Sequence, residues 1–162
     1  VASKKIFDTY TDIPILYATS SAVKELRSPY SMTKATVELI APKNAIGMRF
    51  YTVYGGNLAR SDMFYGRALN RNIRTISTNK RDWTRMDYVC KAIHAILLLG
   101  EPGRIYDVGK GNPQTPREFL DQMGINIDYP IVDMPNESQE TCADPSEINQ
   151  LLTEYHIHVN HS

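Results

Sequence analysis

Tyr30 and Lys34 put a phenol and an ammonium four residues apart, and on a helix that spacing places both on one face. The chemistry such a pair supports is proton transfer. A free tyrosine has a pKa near 10, and bringing it to about 7 takes roughly 4 kcal/mol of preferential stabilisation of the phenolate, part of which a neighbouring cation supplies. A hydroxyl close by, here Ser20, adds a hydrogen bond that holds a substrate alcohol against the phenolate. Taken alone, Tyr-x-x-x-Lys also arises by chance in many helices, and a tyrosine at a helix start can do no more than seal the rim of a core. The pair therefore acquires meaning from the elements around it.

Ile13 to Ala18 is a nearly continuous apolar run, the pattern of a strand buried on both faces. Thr19-Ser20-Ser21 follows at its C-terminal end, the end at which open α/β sheets bind ligands. Ser28-Pro29 opens a helix expected over Tyr30–Ile40 and stopped before Pro42. Ile46–Tyr51 reads as a second strand, closed by a turn at Gly55-Gly56. Strand, helix, strand predicts a right-handed parallel unit.

Upstream of this unit, Ala2–Thr11 reads as an amphipathic helix with Ile6, Phe7 and Tyr10 on one side and Lys4 and Lys5 on the other. Downstream, helices are expected over Asp62–Asn70, Met86–Leu99, Thr115–Met123 and from Asp144 to about Leu152, with Thr75–Ser77 extended and a strand at Ile105–Val108. The fold class is α/β. Residues 1–55 carry the Ser and Tyr-x-x-x-Lys segment, and residues 56–162 form a small C-terminal, substrate-binding part that returns one strand near 105–109.

Composition narrows the function classes. Across 162 residues, 18 basic and 18 acidic side chains cancel, so no strong field draws the chain to nucleic acid or to an anionic membrane. A hydrophobic share of 42% against 22% charged is a globular mixture rather than a disordered one. Cys90 and Cys142 make no disulfide framework and sit in no metal-ligand spacing, which favours a reducing, cytoplasmic setting. The longest apolar run, Ala92–Leu99, is interrupted by His94 and is far short of the roughly 20 residues a membrane span needs. The first ten residues have no signal-peptide core, and Val1 is expected to mark a truncated or processed chain. His156, His158 and His161 near the end read as a solvated terminus rather than a metal site.

Six ordered segments give the pair its context. After the strand ending in Ser20 come Pro29-Tyr30-Ser31-Met32-Thr33-Lys34-Ala35, Arg49-Phe50-Tyr51-Thr52-Val53-Tyr54-Gly55, Arg60-Ser61-Asp62-Met63 and Lys80-Arg81-Asp82-Trp83-Thr84, then Ile105-Tyr106-Asp107-Val108-Gly109 and Glu140-Thr141-Cys142-Ala143-Asp144. In this order they resemble the extended short-chain dehydrogenase/reductase family, specifically its nucleotide-sugar epimerases and dehydratases. The likeness to UDP-glucuronate 4-epimerases extends to their Arg-Pro-Asp-Met, Arg-Arg-Asp-Phe-Thr, Tyr-Asn-Ile-Gly and Glu-Thr-Tyr-Ala-Asp segments.

The resemblance implies a partial Rossmann-like parallel sheet. It implies Tyr30 as the catalytic base, Lys34 as the residue that holds the nicotinamide ribose and lowers the tyrosine pKa, and Ser20 as the contact to the sugar hydroxyl. Phe50 would flank the nicotinamide and Thr52 the sugar, while Arg60 and Arg81 would neutralise the diphosphate, a task suited to a guanidinium fork. The implied reaction oxidises a UDP-sugar at C4 with bound NAD and returns the hydride to the other face. The implied assembly is a homodimer packed through the helices at Ala2–Thr11 and Tyr30–Ile40, with Ile6, Phe7, Val37 and Leu39 as apolar contacts, or a complex with a chain that supplies the cofactor half.

Departures from the family pattern accompany the likeness. The Gly-x-x-Gly-x-x-Gly turn that holds the NAD pyrophosphate does not occur in the sequence, so the chain resembles the second half of an epimerase and is expected to bind NAD weakly or not at all by itself. Gly109-Lys110-Gly111 lies late in the chain and is followed by Asn112-Pro113, which makes it no cofactor loop. Lys24-Glu25 stands where Tyr-Gly is usual. Asp133-Met134-Pro135-Asn136-Glu137 occupies the place of a phosphate-binding arginine. A non-catalytic relative that binds a nucleotide sugar or a protein partner, and an assembly protein that keeps only the fold, are the alternatives to a nucleotide-sugar epimerase.

Overall fold

The computed structural model describes residues 2–56 and 60–160, with side chains as far as residue 157. In chain order the elements are α1 (Ala2–Thr9), β1 (Ile15–Ser20), a 3-10 turn over Ser21–Lys24, α2 (Pro29–Ile40), β2 (Ala45–Phe50), β3 (Thr52–Tyr54), α3 (Phe64–Leu69), β4 (Lys80–Arg85), α4 (Met86–Leu99), β5 (Ile105–Val108), β6 (Pro113–Gln114), α5 (Pro116–Gln122), β7 (Glu140–Thr141) and α6 (Ser146–Asn160). The class is α/β, with one three-stranded parallel sheet in the order β1-β2-β5 and a second, four-stranded sheet centred on β4.

In the parallel sheet Ser20 stands opposite Phe50, and Phe50 opposite Val108. The C-terminal ends of all three strands therefore meet at one edge, as the strand, helix, strand pattern requires. The register puts β1 two residues later than the apolar run suggests. Pro14 cannot donate to a ladder, and Asn44 ties down the carbonyls of Thr11 and Ile13, so pairing begins at Ile15. Nor is β1 buried on both faces. It is an edge strand, with Tyr17 and Thr19 buried and Ala18 exposed.

Local chemistry explains where α2 sits. The Ser28 side chain accepts from the Ser31 amide while the Ser31 hydroxyl accepts from the Ser28 amide, a reciprocal cap that satisfies two amides lacking helical partners. Pro29 takes the first helical position, and Ala41, forced into extended backbone ahead of Pro42, ends the helix. Phe7 and Val37 turn into a small core with Tyr17 and Ala45, where Phe7 meets the Tyr17 ring edge-on at 5.7 Å. Ile6 and Leu39 point outward, Leu39 with 85% of its surface exposed. Only half of that apolar set is free to meet a partner.

The main core lies between the parallel sheet and the pair α4 and α6, and buries Ile46, Met48, Val89, Ile96, Val108 and Ile148. On the side of the small core, a Cβ at Gly47 would lie 2.8 Å from the Tyr17 ring and hydroxyl, so glycine lets that ring lie against β2.

The second sheet was not evident from periodicity. β4 runs parallel to β3 and β7 and antiparallel to β6, although its sequence Lys-Arg-Asp-Trp-Thr-Arg has none of the apolar alternation that marks a strand. Trp83 stacks on Phe119 of α5, ring centroids 4.1 Å apart. Thr75–Ser77 makes a single parallel bridge, Ile76 to Ile131, rather than a strand. Helix α6 continues well past Leu152, so His156 is helical and exposed; the side chains of His158 and His161 lie outside the described residues. Among the described residues no group of metal-ligating side chains forms a site, and no helix is long and apolar enough to cross a membrane.

Candidate functional site

Asp82 organises the second sheet. It is completely buried, and its carboxylate accepts from the amides of Lys110, Gly111 and Ala143 at 2.9, 2.8 and 3.1 Å and from the Thr84 hydroxyl at 3.1 Å. Four donors on one carboxylate offset much of the cost of taking the charge out of water. They also pin the turn after β5 and the start of the segment after β7 to β4. Gly109 makes this approach possible, since a Cβ there would lie 2.5 Å from the Ala143 Cβ and 2.8 Å from the Asp82 Oδ2. The amides of Lys110 and Gly111 are thereby spent on Asp82 rather than offered to a phosphate.

A second carboxylate, Asp107 near the end of β5, gathers a polar floor. Its Oδ2 accepts from the Tyr51 hydroxyl at 2.8 Å, Lys24 Nζ at 2.7 Å and the Asp144 amide at 3.3 Å. Its Oδ1 is buried without a hydrogen-bond partner, with Arg49 Nη1 at 3.8 Å. Burial, followed by the bond to Asp107, drives the Tyr51 pKa far upward, so Tyr51 is held as a neutral donor. Arg49 is anchored from the other side by a bidentate pair with Glu38 at 2.9 and 2.7 Å.

Above this floor opens a cleft of about 530 Å3. One wall is the 3-10 turn and the loop to α2, with Ser21, Lys24, Arg27 and Ser28; the opposite wall is Asn136–Ser138 with Glu140–Cys142, and Tyr51, Thr52 and Arg81 lie between. Burial pushes the Cys142 thiol pKa up, which lowers its share of the reactive thiolate. A second hollow of about 300 Å3 lies against Phe64, Ile73, Ile76, Asn79, Trp83 and Met134. Asn79 is 1% exposed, and its Oδ1 has no partner. Thr52, Arg81 and Glu137 line both spaces.

The structure separates the residues singled out in the sequence into three groups. Ser20 ends β1 and caps the following turn, its Oγ accepting from the Ala22 amide at 3.3 Å. Tyr30 and Lys34 lie one turn apart on α2, with Lys34 Nζ 5.9 Å from the Tyr30 ring centroid and donating to the Ala18 carbonyl at 3.1 Å. Tyr30 is 56% exposed, and neither it nor Lys34 lines the cleft. Phe50 closes β2 against the main core. Thr52 and Arg81 line the cleft, and Arg60 stands apart, exposed and paired with its near neighbour Asp62 at 2.6 Å. That pairing is local to the segment and brings Arg60 to neither hollow.

Sequence reasoning missed Asp107, Tyr51 and Asn79 as site residues and Asp82 as their support. The only available signal was the pairing of Asp82 with a glycine-rich turn nearly thirty residues later, which no local pattern exposes. Lys24 was noticed as a departure from a pattern and turns out to be the cation on Asp107.

No family model matches the sequence, and no curated protein does. Among solved structures, a dTDP-glucose 4,6-dehydratase from Streptomyces venezuelae with NAD bound matches with a TM-score of 0.76 and 20% identity over 93% of this chain and 58% of that one. A UDP-glucuronic acid 4-epimerase from Bacillus cereus, solved with UDP-glucuronic acid and NAD, matches with a TM-score of 0.74 and 21% identity over 94% of this chain and 60% of that one. A UDP-N-acetylglucosamine 4-epimerase from Methanobrevibacter ruminantium, in complex with UDP-N-acetylmuramic acid, matches with a TM-score of 0.73 and 19% identity over 93% and 61%. The chain has the fold of these proteins and spans about three fifths of their length.

Proposed function

We propose that the cleft and the hollow on either side of Arg81 bind a nucleoside-diphosphate sugar, in the manner of an NAD-dependent nucleotide-sugar epimerase or dehydratase. The observation that carries this reading is the shared wall. Two spaces meet at a guanidinium: one lined by Ser21, Lys24, Tyr51 and Thr52, whose hydroxyls and ammonium offer hydrogen bonds, and one flanked by the aromatic rings of Phe64 and Trp83 with the buried amide of Asn79. A ligand with a hydroxyl-rich end, an anionic linker and a planar heterocycle matches that sequence of surfaces. The sugar would occupy the end of the cleft lined by Ser28 and Ser31, beside the start of α2 that carries Tyr30, the diphosphate Arg81, and the base the hollow.

The residues present fit one end of the cofactor. Tyr30 and Lys34 stand beside the C-terminal end of β1, with the Lys34 ammonium anchored on a strand carbonyl, a position suited to a ribose hydroxyl. The amides of the late glycine turn are taken by Asp82, so they do not fit the pyrophosphate. NAD, when bound, supplies hydride acceptance and return at the sugar carbon. In this reading Tyr30 takes and returns the proton of the sugar hydroxyl, Lys34 steadies its phenolate, and Ser20 holds the hydroxyl in line. A homodimer, formed where Ile6 and Leu39 face outward, is part of the same proposal.

A second reading, a binding protein without catalysis, draws support from the open position of Tyr30, away from the cleft lining. Calorimetric titration with UDP-glucuronic acid and with UDP tests the binding claim. Binding weakened at least tenfold by Arg81→Met is the expected result, and equal affinity of the two proteins would overturn it. If turnover is observed with NAD, Tyr30→Phe should abolish it while leaving the ligand dissociation constant nearly unchanged; binding without turnover under any cofactor condition favours the second reading.

A further inference from the structure

Arg81 is already engaged in this conformation through three of its five N–H donors. Its Nη1 donates to the carbonyls of Lys80 and Ser138 at 2.9 and 2.7 Å, and its Nη2 donates to the Glu137 Oε2 at 2.8 Å. The partners differ in exposure: the Arg81 side chain is 18% exposed and that of Glu137 55%. The guanidinium is thus a fixed feature of the wall, and the carboxylate reaches it from the solvent side.

Glu137 is also held in place by contacts across the cleft mouth. Its carbonyl accepts from Arg27 Nη1 at 3.1 Å, the next residue, Ser138, bonds the Glu25 carboxylate through its hydroxyl, and Arg27 Nε pairs with Glu25 at 2.6 Å. Residues 25–27 and 137–138 are therefore knitted together over the space between them. An anion approaching Arg81 meets a negative charge already seated there.

Resting on the nucleotide-sugar reading, we infer that Glu137 is a specificity-determining residue that occupies Arg81 in the ligand-free protein and must be displaced by the anionic linker of the ligand. A group of one negative charge exchanges one carboxylate-like contact for another and gains little. A diphosphate brings further charge and more acceptor oxygens, enough to keep the guanidinium and release Glu137 to solvent.

Equilibrium titration of the wild-type chain, Glu137→Gln and Arg81→Met with inorganic pyrophosphate and with UDP tests this. Glu137→Gln keeps the shape and removes the charge, and should bind pyrophosphate about fivefold more tightly than wild type, with an unchanged melting midpoint, while Arg81→Met loses the binding. A purely structural Glu137 would instead give a lowered melting midpoint and weaker binding. Unchanged, weaker or undetectable pyrophosphate binding by Glu137→Gln overturns the inference. A gain for pyrophosphate with UDP binding no better than pyrophosphate leaves Glu137 in its role and overturns the nucleotide reading instead.

Discussion

Around Ser20, Tyr30 and Lys34 the molecule is open, and around Arg81 it is closed upon itself. In the first region the reactive groups stand at strand and helix ends, with Tyr30 56% exposed and Lys34 bonded to a backbone carbonyl. In the second, each charge is answered by another within the chain: Lys24 by Asp107, Arg27 by Glu25, and Arg81 by Glu137. The two regions also rest on different foundations. The parallel sheet is held by apolar burial between helices, whereas the second sheet is assembled about the buried carboxylate of Asp82. Hydrophobic burial tolerates an exposed rim, because it is non-directional; a buried charge depends on directed donors, and each one lost costs free energy.

That contrast is most sharply tested at Asp82. Asp82→Ala strips the acceptor from three amides and a hydroxyl, and should cost about 3 kcal/mol or more of unfolding free energy, read as a lowered urea midpoint. A loss below about 1 kcal/mol would show that the second sheet does not depend on its carboxylate.

The apolar region makes a pH-dependent claim. Burial first, then the nearby Glu38 charge, raises the Tyr17 pKa to about 12. Below pH 10 the phenol is protonated both folded and unfolded. Between about pH 10 and 12 the unfolded chain loses this proton while the folded chain retains it, so stability falls as pH rises through that window. The expected loss is about 2 to 3 kcal/mol. Tyr17→Phe should flatten this part of the alkaline denaturation profile, and an unaltered slope would place Tyr17 in a wetter site than the parallel sheet provides.

The smallest effect on folding belongs to the exposed apolar rim. Leu39→Glu should change unfolding free energy by no more than about 0.5 kcal/mol, since Leu39 is 85% exposed. If the proposed homodimer uses this face, the same substitution shifts the sedimenting species from dimer to monomer. A wild-type chain that sediments as a monomer at micromolar concentration sinks that part of the proposal.

Legibility in the sequence followed the same division. The first two strands of the parallel sheet were visible as largely apolar runs, and α4 was found to the residue, with Gly100 and Pro102 punctuating its end. The start of α2 was signalled by Ser28-Pro29. By contrast β4 was visible only as a motif, because Asp82 and Thr84 are buried by hydrogen bonding rather than by apolarity. Arg60 and Arg81 looked equivalent as guanidiniums, yet Arg60 turns to Asp62 two residues away while Arg81 is drawn to Glu137, more than fifty residues away.

What the amino-acid sequence determined by itself was local: which segments bury an apolar face, where prolines and capping serines begin and end helices, and that Tyr30 and Lys34 share one helical face. These follow from backbone sterics and short-range periodicity, which need no distant partner. Only the tertiary structure decided that Asp82 supports the turn at Gly109, that Asp107 collects Tyr51 and Lys24, and that Glu137 sits on Arg81. Each of these is a contact between charged or polar groups far apart in the chain, and its strength depends on the water excluded around it, a property no residue carries alone.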